Sequence, residues 1–212
     1  MTATAAGPGR LRRRGLRLEY ASIAWMTAEA AIAITAGIAA RSIALTGFGL
    51  DSVIELASAT VVIWQLRGEA HGQDRDTRAV RLIGVTFFAL AAYLTAESIA
   101  DLVTGAQPSQ SLAGLAIAAA ALIVMPALAI AKNRTGRALG SRTLIADAAE
   151  TAFCAYTSAA ALAGVGLSAW AGWWQADPIA GLVIAALAIR EGLETWEQDK
   201  EQDADGGHGE KE

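Results

Sequence analysis

Seven acidic side chains within otherwise strongly apolar stretches of the sequence are candidates for chemistry. They are Glu29, Asp51, Glu55, Glu97, Asp101, Asp147 and Glu150. An acidic side chain at the centre of a membrane helix costs roughly 2.5–3.5 kcal/mol on insertion scales, so each of these residues needs a reason. Asp51 and Glu55 are four residues apart, which places them on one helical face about one turn from each other. Glu150 and Cys154 have the same spacing.

These two pairs occupy equivalent positions of an internal repeat with a constant offset of 99 residues. The matched positions are Ser42 with Ser141, Leu45 with Leu144, Asp51 with Glu150, Ser52 with Thr151, Glu55 with Cys154, and Ser58 with Thr157. Because two apolar stretches lie between these two segments, the second and fifth helices should cross the membrane in opposite senses. This layout is that of an inverted repeat, whose binding site tends to lie at the repeat interface near the midplane.

Two facing pairs would supply four ligands to a metal ion. Carboxylate oxygen and thiolate sulfur in a tetrahedral set suit a divalent transition metal, zinc first, with Cd, Mn, Fe and Co as alternatives. Burial in a dry bundle should keep the acids and the thiol protonated, and a metal dication would displace those protons. Asp51, Glu55, Glu150 and Cys154 therefore predict a metal site whose occupation releases protons, as a proton-driven exporter requires.

Simpler interpretations stand beside this one. A lone buried cysteine is more often a small apolar side chain than a ligand, and protonated acids can join helices through hydrogen bonds. Glu97 and Asp101 share a helical face but have no counterpart pair in the repeat. Their position near the outer end of the third stretch favours an interfacial or entry role over direct ligation. Glu29 fits either a proton relay or a packing contact. Asp147 lies one turn before Glu150, where it would support the site or act as a gate.

The elements that must position these residues are six apolar stretches. Each is near the ~20 residues needed to cross the hydrocarbon core, and they cover 20–40, 42–66, 82–103, 112–131, 143–168 and 170–189. A content of 54% hydrophobic and only 18% charged residues favours a membrane protein over a soluble domain. The basic residues lie at the two ends and in the second and fourth loops, whereas the opposite side keeps only Arg41. By the positive-inside rule, both termini are predicted to be cytoplasmic.

The predicted fold class is therefore an all-α membrane protein of six transmembrane helices in a 3+3 inverted repeat. Residues 1–18 form a basic cytoplasmic N-terminus, 19–193 the transmembrane domain, and 194–212 an acidic tail expected to be disordered. The first stretch contains Glu29 and is too long for the apolar core of a signal peptide. Asp177, just before Pro178, is expected to cap the sixth helix.

Several classes of function are not expected. The Arg-rich N-terminus is short and directly precedes an apolar run, so it fits a topology determinant better than a nucleic-acid site. The single cysteine excludes an intramolecular disulfide. The sequence contains no nucleophile–base arrangement, phosphate loop or cofactor fingerprint, so we expect neither an enzyme nor a bound cofactor.

Three segments resemble the transmembrane part of the cation diffusion facilitator (cation efflux) family. Residues 42–55 (SIALTGFGLDSVIE) resemble its second helix, 146–150 (ADAAE) its fifth, and 176–184 (ADPIAGLVI) its sixth. The resemblance implies metal/proton antiport, export from the cytoplasm by alternating access, and assembly as a homodimer. It places the transport site on Asp51 and Glu55 of the second helix and on Glu150 and Cys154 of the fifth.

The chain also departs from that family's usual pattern. Family members usually have Asp in place of Glu55, His or Asp in place of Glu150, and Asp in place of Cys154. A thiolate would favour softer ions such as Zn or Cd over Mn. Members usually carry a cytosolic ferredoxin-like domain after the sixth helix, which the given sequence does not contain, so dimerisation is expected to rest on the membrane part.

We therefore expect a multi-pass protein of a bacterial inner (plasma) membrane. Its partners would be the lipid bilayer, a divalent metal cation, protons and a second copy of the chain. Two alternatives remain open. One is a degenerate relative that binds a metal or a partner transporter without transporting. The other is a transporter of the same fold for a non-metal cation.

Overall fold

The computed structural model describes residues 8–67 and 73–206, and these ranges form six long helices without a strand. The helices are α1 (Pro8–Ala40), α2 (Ile43–Leu66), α3 (Gln73–Thr104), α4 (Leu112–Leu139), α5 (Arg142–Ala171) and α6 (Ala176–Gly206). The first seven residues of the predicted N-terminus, the loop 68–72 and the last six residues of the predicted tail lie outside the described residues.

Five of these helices are long and apolar enough to cross a membrane. Their spans are Gly9–Ala40, Ile43–Trp64, Gly84–Thr104, Leu112–Leu139 and Leu144–Ala171. The sixth helix falls short by composition, because its apolar run over 178–189 is bounded by Asp177 on one side and by Arg190 and Glu191 on the other. It still packs against α2, α3 and α5 within the same bundle. The expected all-α membrane bundle of six helices is confirmed, and the orientation of its termini stays a prediction.

Three predicted boundaries differ from the structure. The loop expected between the stretches 112–131 and 143–168 is wrong over most of its length, because α4 continues through Gly136 to Leu139 and ends at Gly140, which has a left-handed φ of 67°. The apolar stretch expected over 170–189 is divided, since α5 runs to Ala171 and ends at Gly172, which has a left-handed φ of 64°. The tail expected to be disordered from residue 194 continues α6 as helix to Gly206, in keeping with its Glu, Gln and Lys content.

The turn between α1 and α2 has the same backbone hydrogen bonds as the turn between α4 and α5. Written from N–H donor to carbonyl acceptor, they are Arg41 to Ile38 (3.3 Å) and Gly140 to Arg137 (3.3 Å), and Ser42 to Gly37 (2.9 Å) and Ser141 to Gly136 (3.0 Å). Arg41 and Gly140 both have left-handed backbones, with φ of 53° and 67°. Each matched pair is 99 residues apart. The repeat therefore includes the first and fourth helices, and its units are two equivalent helical hairpins.

In both hairpins, the two helices pack closely against each other near the turn. A Cβ on Gly37 would lie 2.7 Å from the backbone nitrogen of Thr46, and one on Gly136 would lie 3.2 Å from that of Ile145. Glycine at both positions lets the backbones of the paired helices come into contact, as small residues do in membrane bundles.

The N-termini of α2 and α5 are capped by equivalent serines, but α2 has an additional cap. Ser42 Oγ accepts from the backbone nitrogen of Leu45, and Ser141 Oγ does the same for Leu144. Asp177 does not cap its own helix as expected. It accepts from Ser42 Oγ at 2.5 Å and from the backbone nitrogen of Ile43 at 2.9 Å, so it ties α6 to the start of α2.

Candidate functional site

Three of the four predicted ligands lie together, buried where α2 faces α5. Asp51 and Glu55 of α2 are 6% and 5% exposed, and Cys154 of α5 is 1% exposed. Thr157, also on α5, donates its hydroxyl to Asp51 Oδ2 at 2.9 Å, and its Oγ1 lies 3.9 Å from Cys154 Sγ. The i,i+4 spacing read from the sequence therefore places acids and thiol on facing helix surfaces.

The fourth predicted ligand, Glu150, is held by the opposite helix. Its Oε2 accepts a hydrogen bond from the hydroxyl of Ser58 on α2. Ser58 and Thr157 are equivalent positions of the repeat, as are Asp51 and Glu150. Each acid is therefore bound by the hydroxyl of the other half, and the two hydrogen bonds are related by the pseudo-symmetry of the hairpins.

Glu55 differs from its neighbours because nothing satisfies its carboxyl group. Neither of its oxygens has a partner within hydrogen-bonding geometry, although the Cys154 thiol is close enough to interact with the carboxyl group. Within the part of the chain that the structure describes, no three His, Cys, Asp or Glu side chains converge closely enough to hold a metal ion. The predicted ligands are thus neighbours across one helix interface, without forming a closed tetrahedral set.

A small pocket connects these residues to the third and sixth helices. It is lined by Asp51, Ile54, Glu55, Ser58, Phe87, Glu150, Phe153 and Glu191. Glu191 is not among the predicted site residues, because it follows the end of the apolar run in α6. A usable signal was present, since Glu191 continues the buried positions Ile184 and Ala188 at spacings of four and three residues.

The first helix adds another buried carboxylate beside the thiol. Glu29 is fully buried, and it accepts hydrogen bonds from Ser52 Oγ at 2.6 Å and from Trp25 Nε1 at 2.5 Å. Its Oε1 also lies 3.9 Å from Cys154 Sγ. Glu29 therefore joins α1 to both helices of the site, so it is in place for either of the roles expected of it.

A buried ion cluster lies among α1, α4 and α5. Lys132 Nζ is 3.2 Å from Glu19 Oε2 and 2.6 Å from Asp147 Oδ2, and it donates to Thr151 Oγ1 at 3.1 Å. Lys132, Glu19 and Asp147 are almost completely buried. Counting Lys132 with the basic loop residues was wrong, because α4 carries it inside the bundle. Glu19 was missed because it precedes the first apolar stretch.

The remaining candidates lie apart from this interface. Glu97 is exposed and Asp101 is half-buried near the end of α3, and neither lines the pocket. Their shared helical face, which the spacing predicted, is therefore outside the arrangement that α2 and α5 build.

Fold and site together define a helical membrane bundle that encloses acids and a thiol between two halves of a repeat. Residues 79–197 match the model of the cation efflux transmembrane domain. The chain belongs to the cation efflux family, as its resemblance implied, and members of that family are transporters and not enzymes. It is also 28% identical over 138 residues to Transmembrane protein 163 of Xenopus laevis, covering 64% of this chain and 49% of the relative. The chain thus spans about half the length of this curated relative.

Proposed function

We propose that this chain is a proton-coupled exporter of a divalent metal cation, with zinc as the first substrate. Membership of the cation efflux family supports cation transport. The observation that carries the proposal is Glu55, a carboxylate buried in the bundle without a hydrogen-bond partner beside Asp51 and Cys154. A buried acid without a partner costs free energy, and a bound cation would compensate that cost.

The proposed ligands are Asp51 and Glu55 of α2 with Glu150 and Cys154 of α5. The carboxyls and the thiol must lose their protons to bind a metal, so cation and protons exchange at one site. Sulfur and oxygen in a tetrahedral set suit zinc. The hydroxyls of Ser58 and Thr157 would release Glu150 and Asp51 as the cation takes their place, which lets the two helices close on it.

Alternating access would follow from the two equivalent hairpins, one moving against the other around the site. We further propose cytoplasmic termini, a plasma-membrane location and a homodimer. Exposed Glu97, within the membrane-crossing part of α3, supports the homodimer. A carboxylate facing lipid is costly, and a second copy would cover it.

The proposal is tested by zinc uptake into inverted membrane vesicles loaded with acidic buffer. Asp51→Ala should lower the initial rate by at least about tenfold, because it removes a ligand that the bound cation needs. Glu197→Gln changes an exposed acid further along α6 and should transport like the wild type. Equal rates for wild type and Asp51→Ala would overturn the site assignment.

The alternative is a relative that binds metal without transporting it, and one observation favours it. No closed set of three metal-binding side chains forms within the described residues. This alternative expects saturable zinc binding by calorimetry in detergent but no flux into liposomes across a pH gradient. Flux that responds to the gradient would exclude it.

A further inference from the structure

We propose that Glu191 of α6 is a cation ligand at the entrance of the pocket, where a divalent cation is held before it reaches Asp51 and Glu55. The inference rests on the proposed function, and it adds to the α2–α5 set a residue from a third helix. The class of ligand is a hard or borderline divalent cation, because the groups it would meet at the entrance are carboxylates.

The wall of the pocket is rich in carboxylates. Carboxylates reach it from three helices, with Asp51 and Glu55 on α2, Glu150 on α5 and Glu191 on α6. The rest of the wall includes the apolar side chains Ile54, Phe87 and Phe153. Such surroundings screen charge poorly, so a cation entering the pocket would be attracted strongly.

Glu55 is an acid in this pocket that no other group pairs with at close range. Glu55 lines the pocket, is more than nine-tenths buried, and has no hydrogen-bond partner for either oxygen. The nearby ammonium of Lys132 is already bound to Glu19 and Asp147. A cation in the pocket would provide the missing counter-charge.

The position of Glu191 along α6 places it at the edge of the pocket. It follows Ile184 and Ala188 on the buried face of α6 but is itself only half-buried, as expected at the mouth of a pocket. Its neighbour Arg190 pairs with Glu194 at 2.7 Å, and both of those side chains are largely exposed. Arg190 is thus engaged on the outer face of the helix, which leaves the Glu191 carboxylate available to a cation.

An entrance ligand and a ligand of the central site differ in their kinetic effects. Removing an entrance carboxylate weakens capture while the central site still completes the cycle, so KM rises and the maximal rate is kept. The entrance carboxylates are oxygen donors, so zinc and manganese should be affected alike. A change at Cys154 would instead alter the order of preference among ions.

The test compares Glu191→Gln with the matched control Glu197→Gln, an exposed acid six residues further along the same helix. Initial rates are measured against zinc and manganese concentration in inverted vesicles. We expect Glu191→Gln to raise KM about tenfold for both ions, with a maximal rate within about twofold of wild type. Glu191→Asp should lie in between, and Glu197→Gln should be unchanged. An unchanged KM, or a loss of maximal rate alone, would overturn the role of Glu191.

Calorimetry separates this inference from the proposed function. If the wild type gives no flux, zinc binding in detergent still compares the same variants, and Glu191→Gln should weaken binding while Glu197→Gln does not. If Asp51→Ala transports normally, the central assignment fails whatever Glu191 does. Should Glu191→Gln unfold, Glu191→Asp serves in its place, and wild-type KM and affinity in that variant would overturn the inference.

Discussion

Cys154 is the single thiol of the chain, and its surroundings are unusual for an inert apolar side chain. Its sulfur lies 3.9 Å from both Glu29 Oε1 and Thr157 Oγ1, and the charges of Asp51 and Glu55 act on it. A cysteine that served only for packing would need no polar neighbours, whereas the sulfur of Cys154 has these in addition to the apolar cluster around it. We therefore expect its sulfur to determine which ions the site prefers.

Replacing Cys154 with Asp should change that preference. An all-carboxylate set is harder, so the preference for Cd over Mn should fall by at least about tenfold. The measurement is the inhibition of zinc uptake by each competing ion. Thr27→Ser, an exposed change on α1 away from the site, is the control. An unchanged order of inhibition in Cys154→Asp would show that the sulfur is not a ligand. A changed order of inhibition in Cys154→Ala would exclude a non-metal cation as the substrate.

Lys132 pairs with two buried acids, so its replacement should affect stability. Lys132→Met would leave Glu19 and Asp147 without their counter-charge, and we expect a loss of about 3–5 kcal/mol of unfolding free energy. Denaturation in detergent micelles measures it. Arg190→Met breaks an exposed pair with Glu194 and should leave the unfolding free energy almost unchanged.

A triple variant decides between charge and packing in that cluster. Glu19→Gln and Asp147→Asn, added to Lys132→Met, remove the unpaired charges and should recover most of the lost stability. If the triple variant is as unstable as Lys132→Met, the long side chain matters for packing and not for its charge.

The two helical hairpins share the same turn geometry but have different residues at the central position of the turn. Gly140 takes the left-handed backbone without strain, whereas Arg41 pays for its side chain in the same conformation. The hydrogen bonds on either side are equivalent, so the difference between the two turns lies in this single residue.

Arg41→Gly should stabilise the protein by about 1 kcal/mol, and Gly140→Arg should destabilise it by a similar amount. Thermal unfolding in detergent measures both. Arg41→Ala removes the charge but keeps a Cβ, so it should not share the gain. Equal gains for Arg41→Gly and Arg41→Ala would assign the effect to the charge of Arg41 and not to its backbone.

For the whole molecule, the orientation in the membrane follows from where the basic residues stand. Arg134 and Arg137 lie in the last turns of α4, and the Arg-rich segment opens α1. These helix ends should therefore face the cytoplasm together. The α3–α4 connection, which contains Ser109, would face outward.

Single cysteines in a Cys154→Ser background report this orientation directly. In intact cells an impermeant maleimide should label Ser109→Cys and should not label Glu197→Cys until the membrane is permeabilised. Because Cys154 is the only native thiol, the background without any introduced cysteine gives the blank. The reverse pattern of labelling would contradict the predicted topology.

Local pattern determined much of this protein. Runs of about twenty apolar residues specify membrane helices because lipid cannot satisfy an open backbone. The i,i+4 spacing of Asp51 and Glu55 puts both on one face whatever surrounds the helix. The offset of 99 residues indicated the pairing of α2 with α5, and the equivalent turn hydrogen bonds agree with it.

Tertiary structure alone decided the partners of the buried charges. Lys132 belongs by sequence to a basic segment, yet it meets acids from α1 and α5. Asp177 caps a helix 135 residues away in sequence, counted to Ser42, and Glu191 joins a pocket built mainly by other helices. The physical reason is that such contacts cross between helices. Their partners depend on how the helices rotate and slide on packing, which no periodicity within one helix determines.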